Sequence, residues 1–223
     1  MQSFCRHSFR FLFRPDRLTS MKKGKFVVFD GIDGGGKSSI ISEIARTFGK
    51  RAMVNQISDT FLGKTLTTFL HNAKKIADPG VLLALSFASF RERILNSIVP
   101  ALKVGKLVLS DRFDSSGFAY QVHAQNGANL EGVFFKMREV MFREAMPDLY
   151  IFLDLDPKVG LRRKYSQNNK LNLFERQSLS FHRTVREGYR LFSKHVPSKI
   201  VDAGRPFEEV KTECMKIVEN LIK

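Results

Sequence analysis

The chain has only two cysteines in 223 residues, Cys5 and Cys214. That is too few for a disulfide framework and fits a reducing compartment. No apolar run approaches the roughly 18 residues of a membrane span. No internal repeat or low-complexity tract divides the chain, and helix-turn-helix, zinc-ligand and aromatic RNA-binding signatures are all missing. The N-K-x-D by which a GTPase reads guanine is missing too. Acids are scarce beside bases, 22 Asp and Glu against 37 Lys and Arg, giving a formal net charge of +15. Such a charge suits either a nucleic-acid binder or a protein that handles several phosphates. The bases form two clusters, Arg6, Arg10, Arg14 and Arg17 at the start and Arg162, Arg163, Lys164 and Lys170 later, with the rest scattered. Solvated surface plus phosphate-site cations is the favoured reading; neither nucleic acid nor a membrane is an expected partner.

Residues 1–20, "MQSFCRHSFRFLFRPDRLTS", are rich in arginine, phenylalanine and serine, with Asp16 the only acid. Three readings stand: an organelle transit peptide, an upstream extension with Met21 as the true start, or an extra arm. The first would place the protein in a mitochondrion or another organelle; without it the cytoplasm is expected. Residues 21–223 have the length and composition of a single soluble α/β domain.

What is abundant is glycine, in one place. "FDGIDGGGKSS" spans residues 29–39, and Gly31, Gly36, Lys37 and Ser38 form G-x-x-x-x-G-K-[ST]. Glycines reach backbone angles closed to other residues, so successive N–H groups converge on phosphate oxygens. The lysine then reaches the β- and γ-phosphates, and the serine hydroxyl holds magnesium. Lys25–Phe29 before it reads as a buried strand. Ile40, Ile41, Ile44 and Phe48 after it follow a helical spacing. Strand, loop and helix are the setting the motif needs, because the helix N-terminus adds its own N–H groups and dipole.

Further strands are expected at Ala52–Ile57, Lys106–Ser110, Leu149–Leu155 and Lys199–Asp202. Helices are expected at Leu62–His71, from Asp78-Pro79 to about Leu102, from Pro157, and at Phe207–Ile222. This alternation predicts a parallel sheet covered on both faces, with ligands beyond the carboxyl ends of the strands. There "SDRFDSSGFAYQ" supplies Asp111, a candidate to hold magnesium through water, and Arg112, a cation for a transferring phosphate.

"FDGIDGGGKSS", "SFASFR", "SDRFDSSGFAYQ", "LDLDPKVGLRR" and "VDAGRPFEEV" occur in the order and spacing of thymidylate kinases, which the chain resembles over about residues 22–222. The resemblance implies a P-loop nucleoside monophosphate kinase fold: a five-stranded parallel sheet, helices on both faces, and a lid at about 162–174. It implies ATP-dependent phosphorylation of dTMP to dTDP for dTTP synthesis, with magnesium, and a homodimer. ATP phosphates would fall to Gly31, Ile32, Asp33, Gly34, Gly35, Gly36, Lys37, Ser38 and Ser39, with the metal at Ser38 and Asp111. Asp33 would bond the acceptor's 3′-hydroxyl, Phe87 would stack on thymine and Arg91 would bond its edge. Arg112, Ser116, Tyr120 and Gln121 would line the acceptor site, with Tyr120 reading the missing 2′-hydroxyl.

Two features depart from the family pattern. Ser58 stands where an arginine usually grips the acceptor phosphate, and Asn172 and Leu173 replace a lid Asp-Arg. Gly34 follows Asp33, so a catalytic cation has to come from the lid. Arg163 and Lys170 are expected to share that role beside Lys37 and Arg112, with Arg162 and Lys164 solvated. Alternatives are a kinase for another nucleotide or nucleoside, a P-loop ATPase or GTPase, and a basic nucleic-acid-binding protein.

Overall fold

The computed structural model describes residues 24–75, 77–166 and 171–223. The segment 1–20 and Lys170, both subjects of expectations above, lie outside them. The elements run β1 (Lys25–Asp30), α1 (Lys37–Phe48), β2 (Ala52–Asn55), α2 (Phe61–Asn72), α3 (Pro79–Arg93), α4 (Val99–Lys103), β3 (Leu107–Asp111), α5 (Asp114–Gly117), α6 (Glu131–Met141), β4 (Leu149–Asp154), α7 (Pro157–Tyr165), α8 (Leu179–Phe192), β5 (Ser198–Asp202) and α9 (Phe207–Ile222). Five parallel strands lie in the order β2-β3-β1-β4-β5. Phe26, Val27, Val28 and Phe29 of β1 are inaccessible to solvent, as a strand covered on both faces requires.

That order positions the site. The chain leaves β1, places β2 two strands away, and returns β3 and β4 to flank β1 on either side. The crevice at such a switch point opens beyond the strand ends. Parallel register sets Phe29 against Asp111, so the end of β3 stands beside the loop that leaves β1.

The helical stretch from Asp78 behaves as its sequence indicates at the start. The Asp78 carboxylate accepts from the Gly80 and Val81 N–H groups, and Pro79 occupies the first turn. Between α3 and α4 it widens into a π turn, Ile94–Ile98. Pro100, which has no N–H and whose ring crowds the preceding turn, follows at once, so the wide turn accommodates it. A second π stretch, Phe118–Ala124, continues α5 and packs on α8. Among the described residues no helix is long and apolar enough to cross a membrane.

Candidate active site

The loop after β1 is built of turns open to glycine. Gly31, Gly34 and Gly36 have φ of 128°, 77° and 85°. A Cβ on Gly34 would lie 2.5 Å from the Gly160 carbonyl oxygen, so this position tolerates neither the backbone angle nor the volume of another residue. Gly34, Gly36, Lys37, Ser38 and Ser39 line an open cavity of about 520 Å³. Lys37 Nζ donates to the carbonyls of Gly31 (3.1 Å) and Ile32 (2.8 Å). Burial, reinforced by Arg112, pulls its ammonium down to about 8 despite nearby carboxylates. Ser38 Oγ donates to Asp111 Oδ2 at 2.6 Å, bringing together the two residues expected to serve a metal.

Arg112 has φ of 61°, a left-handed conformation rare outside glycine. The turn swings its guanidinium back over β1. There Nη2 donates to Asp33 Oδ1 (2.6 Å), and Nη1 donates to Asp30 Oδ1 (3.1 Å), the Gly31 carbonyl (3.0 Å) and Tyr189 Oη (2.9 Å). Asp30 is fully buried and also accepts from Ser115 and Ser116, which fixes the start of α5 against the loop. Burial alone would raise Asp33, but Arg112, Lys37 and Lys164 outweigh it and hold the carboxyl at about 2. Asp33 is therefore ionised throughout the working range.

Beyond Arg112 lies a more apolar cavity of about 240 Å³. Ser116, Tyr120 and Gln121 line it, and Tyr120 Oη lies 3.5 Å from Asp33 Oδ2. Asp33, Ile57 and Arg112 belong to its wall and to that of the loop cavity. The two spaces meet there.

Phe87 and Arg91 do not reach this cavity, which corrects the expectation for both. Phe87 is fully buried and packs against Phe90, Phe134 and Phe142, with ring centroids 5.4–5.9 Å apart. Arg91 turns to Glu144, with Nη2 to Oε1 at 2.9 Å, and to the Met141 carbonyl at 2.7 Å. Their i, i+4 spacing does place them on one face, but that face meets α6 and the segment after it. Ser86, Phe90 and Arg93, at i, i+4 and i+7 and so within about 60° of one another around the helix, face the cavity instead.

The thymidylate kinase family model matches residues 29–214. The chain belongs to the thymidylate kinase family. Its curated relatives include the thymidylate kinase of Geobacillus thermodenitrificans (strain NG80-2), 33% identical over 203 residues that make up 87% of this chain and 89% of the relative. That of Clostridium novyi (strain NT) is 32% identical over 204 residues, 86% and 98% of the two chains. That of Limosilactobacillus reuteri (strain DSM 20016) is 32% identical over 197 residues, 84% and 92%.

Against the thymidylate kinase pattern the lid region differs most from expectation. Arg163 Nη1 donates to the Gly34 carbonyl at 3.0 Å, so this residue does touch the loop. Lys164 is not a solvated bystander: its ammonium lines the loop cavity and pairs with Glu175 at 3.0 Å. Leu173 is buried, and its N–H donates to the Leu70 carbonyl, docking the segment on α2. Asn172 Oδ1 accepts from the N–H groups of Phe174 and Glu175, a local turn that presents Phe174 to the cavity and to the Tyr120 ring. Ser58 stands on the wall of the loop cavity and brings no charge. Phe90, Ser86, Arg93 and Lys164 are site residues that sequence reasoning missed. The only sequence signal for the first two was their i, i+4 spacing, which Phe87 and Arg91 share.

Proposed function

We propose that the protein transfers the γ-phosphoryl group of ATP to dTMP, giving ADP and dTDP. The observation that carries this reading is the meeting of the two cavities at Asp33 and Arg112. A loop shaped for a nucleotide's phosphates and a largely apolar space shaped for a second ligand share one charged boundary. A hydrolase or switch needs only the first. The names of the relatives, all thymidylate kinases, support dTMP as the second ligand.

An oxygen of the acceptor phosphate attacks Pγ. A new O–Pγ bond forms as the bond from Pγ to the bridging oxygen breaks, and its electron pair leaves with ADP. No side chain is phosphorylated. The protein's task is to hold two anions in line and neutralise the charge spreading between them. Lys37, released from the Gly31 and Ile32 carbonyls, reaches the donor phosphates. Arg112, fixed by five acceptors and carboxylates around it, stands at the boundary where the acceptor phosphate and Pγ approach. Arg163 and Lys164 bring lid charge to the same place. Asp33, ionised and aimed at Tyr120, is placed to accept from the acceptor's 3′-hydroxyl. Phe90 offers the apolar face expected of Phe87, with Ser86 and Gln121 as polar partners for the base.

Ser38 Oγ and Asp111 Oδ2 are hard oxygen donors of the kind magnesium takes when phosphates complete its shell. Among the described residues no group of three or more His, Cys, Asp or Glu could cage an ion alone, so the phosphates would have to supply the other ligands. When bound, the ion would supply neutralising charge at the β- and γ-phosphates.

An ATP-coupled assay against a panel of nucleoside monophosphates tests the proposal. Turnover of dTMP should exceed that of dGMP and dAMP, and dUMP, lacking the methyl group, should be used less well. Equal turnover of the purine monophosphates would overturn the thymine assignment; ATP hydrolysis with no acceptor would overturn phosphoryl transfer.

A further inference from the structure

Among the described residues Arg93 is the only fully buried arginine. It closes α3, and its guanidinium is held by neutral groups at the ends of β2 and β3. Nε donates to Asn55 Oδ1 at 2.7 Å, and Nη2 donates to Ser110 Oγ at 2.6 Å and to the Arg112 carbonyl at 3.2 Å. The Phe113 ring lies 5.2 Å from its carbon. Nη1 has no partner, and neither has Asn55 Nδ2, although both are buried. A charged donor with nothing to receive it bears the full cost of desolvation and is the complement of a bound acceptor atom.

The charge is as unbalanced as the hydrogen bonding. Arg93 forms no ion pair with any described carboxylate; Asp59, Asp111 and Asp30 act on it only from a distance. Burial lowers its pKa to about 10, which still leaves it protonated at neutral pH. A buried cation normally needs a charged partner within reach. Arg112 next door has two, Asp30 and Asp33.

Position identifies the partner. Arg93 lines the more apolar cavity, and it bonds the carbonyls of Arg112 and Asn55, which flank residues on the wall of the loop cavity. It therefore stands at the end of the acceptor cavity nearest the phosphate loop, away from any base. We propose that Arg93, through Nη1, binds the phosphate of the acceptor nucleoside monophosphate and supplies the charge that Ser58 does not. This rests on the assignment of the more apolar cavity to the acceptor.

Arg93→Gln keeps much of the shape and removes the charge. Equilibrium binding of dTMP and of thymidine to the wild-type chain and to R93Q separates a phosphate contact from a structural one. dTMP should bind R93Q at least roughly tenfold more weakly, and thymidine about equally to both. Unchanged dTMP affinity overturns the proposal, and so does an equal loss for dTMP and thymidine, the mark of a merely structural arginine. If the panel shows another monophosphate to be the acceptor, the thymine reading falls, and the same comparison with that monophosphate and its nucleoside still decides the role of Arg93. Should R93Q not fold, the Arg93 guanidinium resonances of the wild-type chain decide it. They should shift with the monophosphate and not with the nucleoside; no shift with either, or the same shift with both, overturns it.

Discussion

At the loop end of the cleft, residues 31–38 form one continuous stretch whose conformations are set by the glycines within it. At the base end, the wall is assembled from α2, α3, the π stretch after α5 and the segment at 172–174, with no two neighbours dictating the shape. A local loop can be written into a short sequence because its function resides in its own backbone. An assembled cavity depends on which face each helix turns inward, and that is decided by packing against distant residues.

The sharpest way to break this contrast is to strike the loop. Lys37→Ala should lower kcat by about two to three powers of ten or more, since a charged donor aimed at the transferring group is lost. The fold should survive, because Lys37 bonds only loop carbonyls, and circular dichroism should remain native-like. Activity within a few-fold of wild type would show that the loop does not hold the donor phosphates.

A smaller effect, and of a different kind, is expected on α3. Phe87→Ala should destabilise the fold by about 3–5 kcal/mol, measured by denaturant unfolding, because it empties a space among Phe90, Phe134 and Phe142. A stable Phe87→Ala protein with only a raised KM for dTMP would return Phe87 to the acceptor site. The smallest effect belongs to Arg91→Ala. Its partner Glu144 is partly exposed, so the pair contributes about 1 kcal/mol or less, and the KM for dTMP should not move. A large rise in that KM would sink the corrected assignment.

The strands and the phosphate loop were legible because their signals are local. An apolar run before glycines, and helical spacing after them, leave one arrangement open. Asp78-Pro79 likewise marked a helix start whose cap bonds are present. The face of α3 was not legible. "LLALSFASFRER" is apolar nearly all round, so no polar stripe marks the solvent side, and a rotation of one residue exchanges Phe87 for Ser86. Lys164 was misread for a related reason: its place depends on Glu175, eleven positions on, whose carboxylate draws it inward. Arg93 escaped notice because nothing in a charged residue's sequence context marks complete burial.

Gly160 of α7 rests on the loop, where an added Cβ would lie 2.3 Å from the Asp33 carbonyl oxygen. Gly34 meets Gly160 from the other side, so the helix and the loop touch main chain to main chain. Side chains absorb displacement by changing rotamer, but apposed backbones have no such slack. Any shift of the loop at Gly34 is therefore passed to α7, which carries Arg163 and Lys164 one turn farther along.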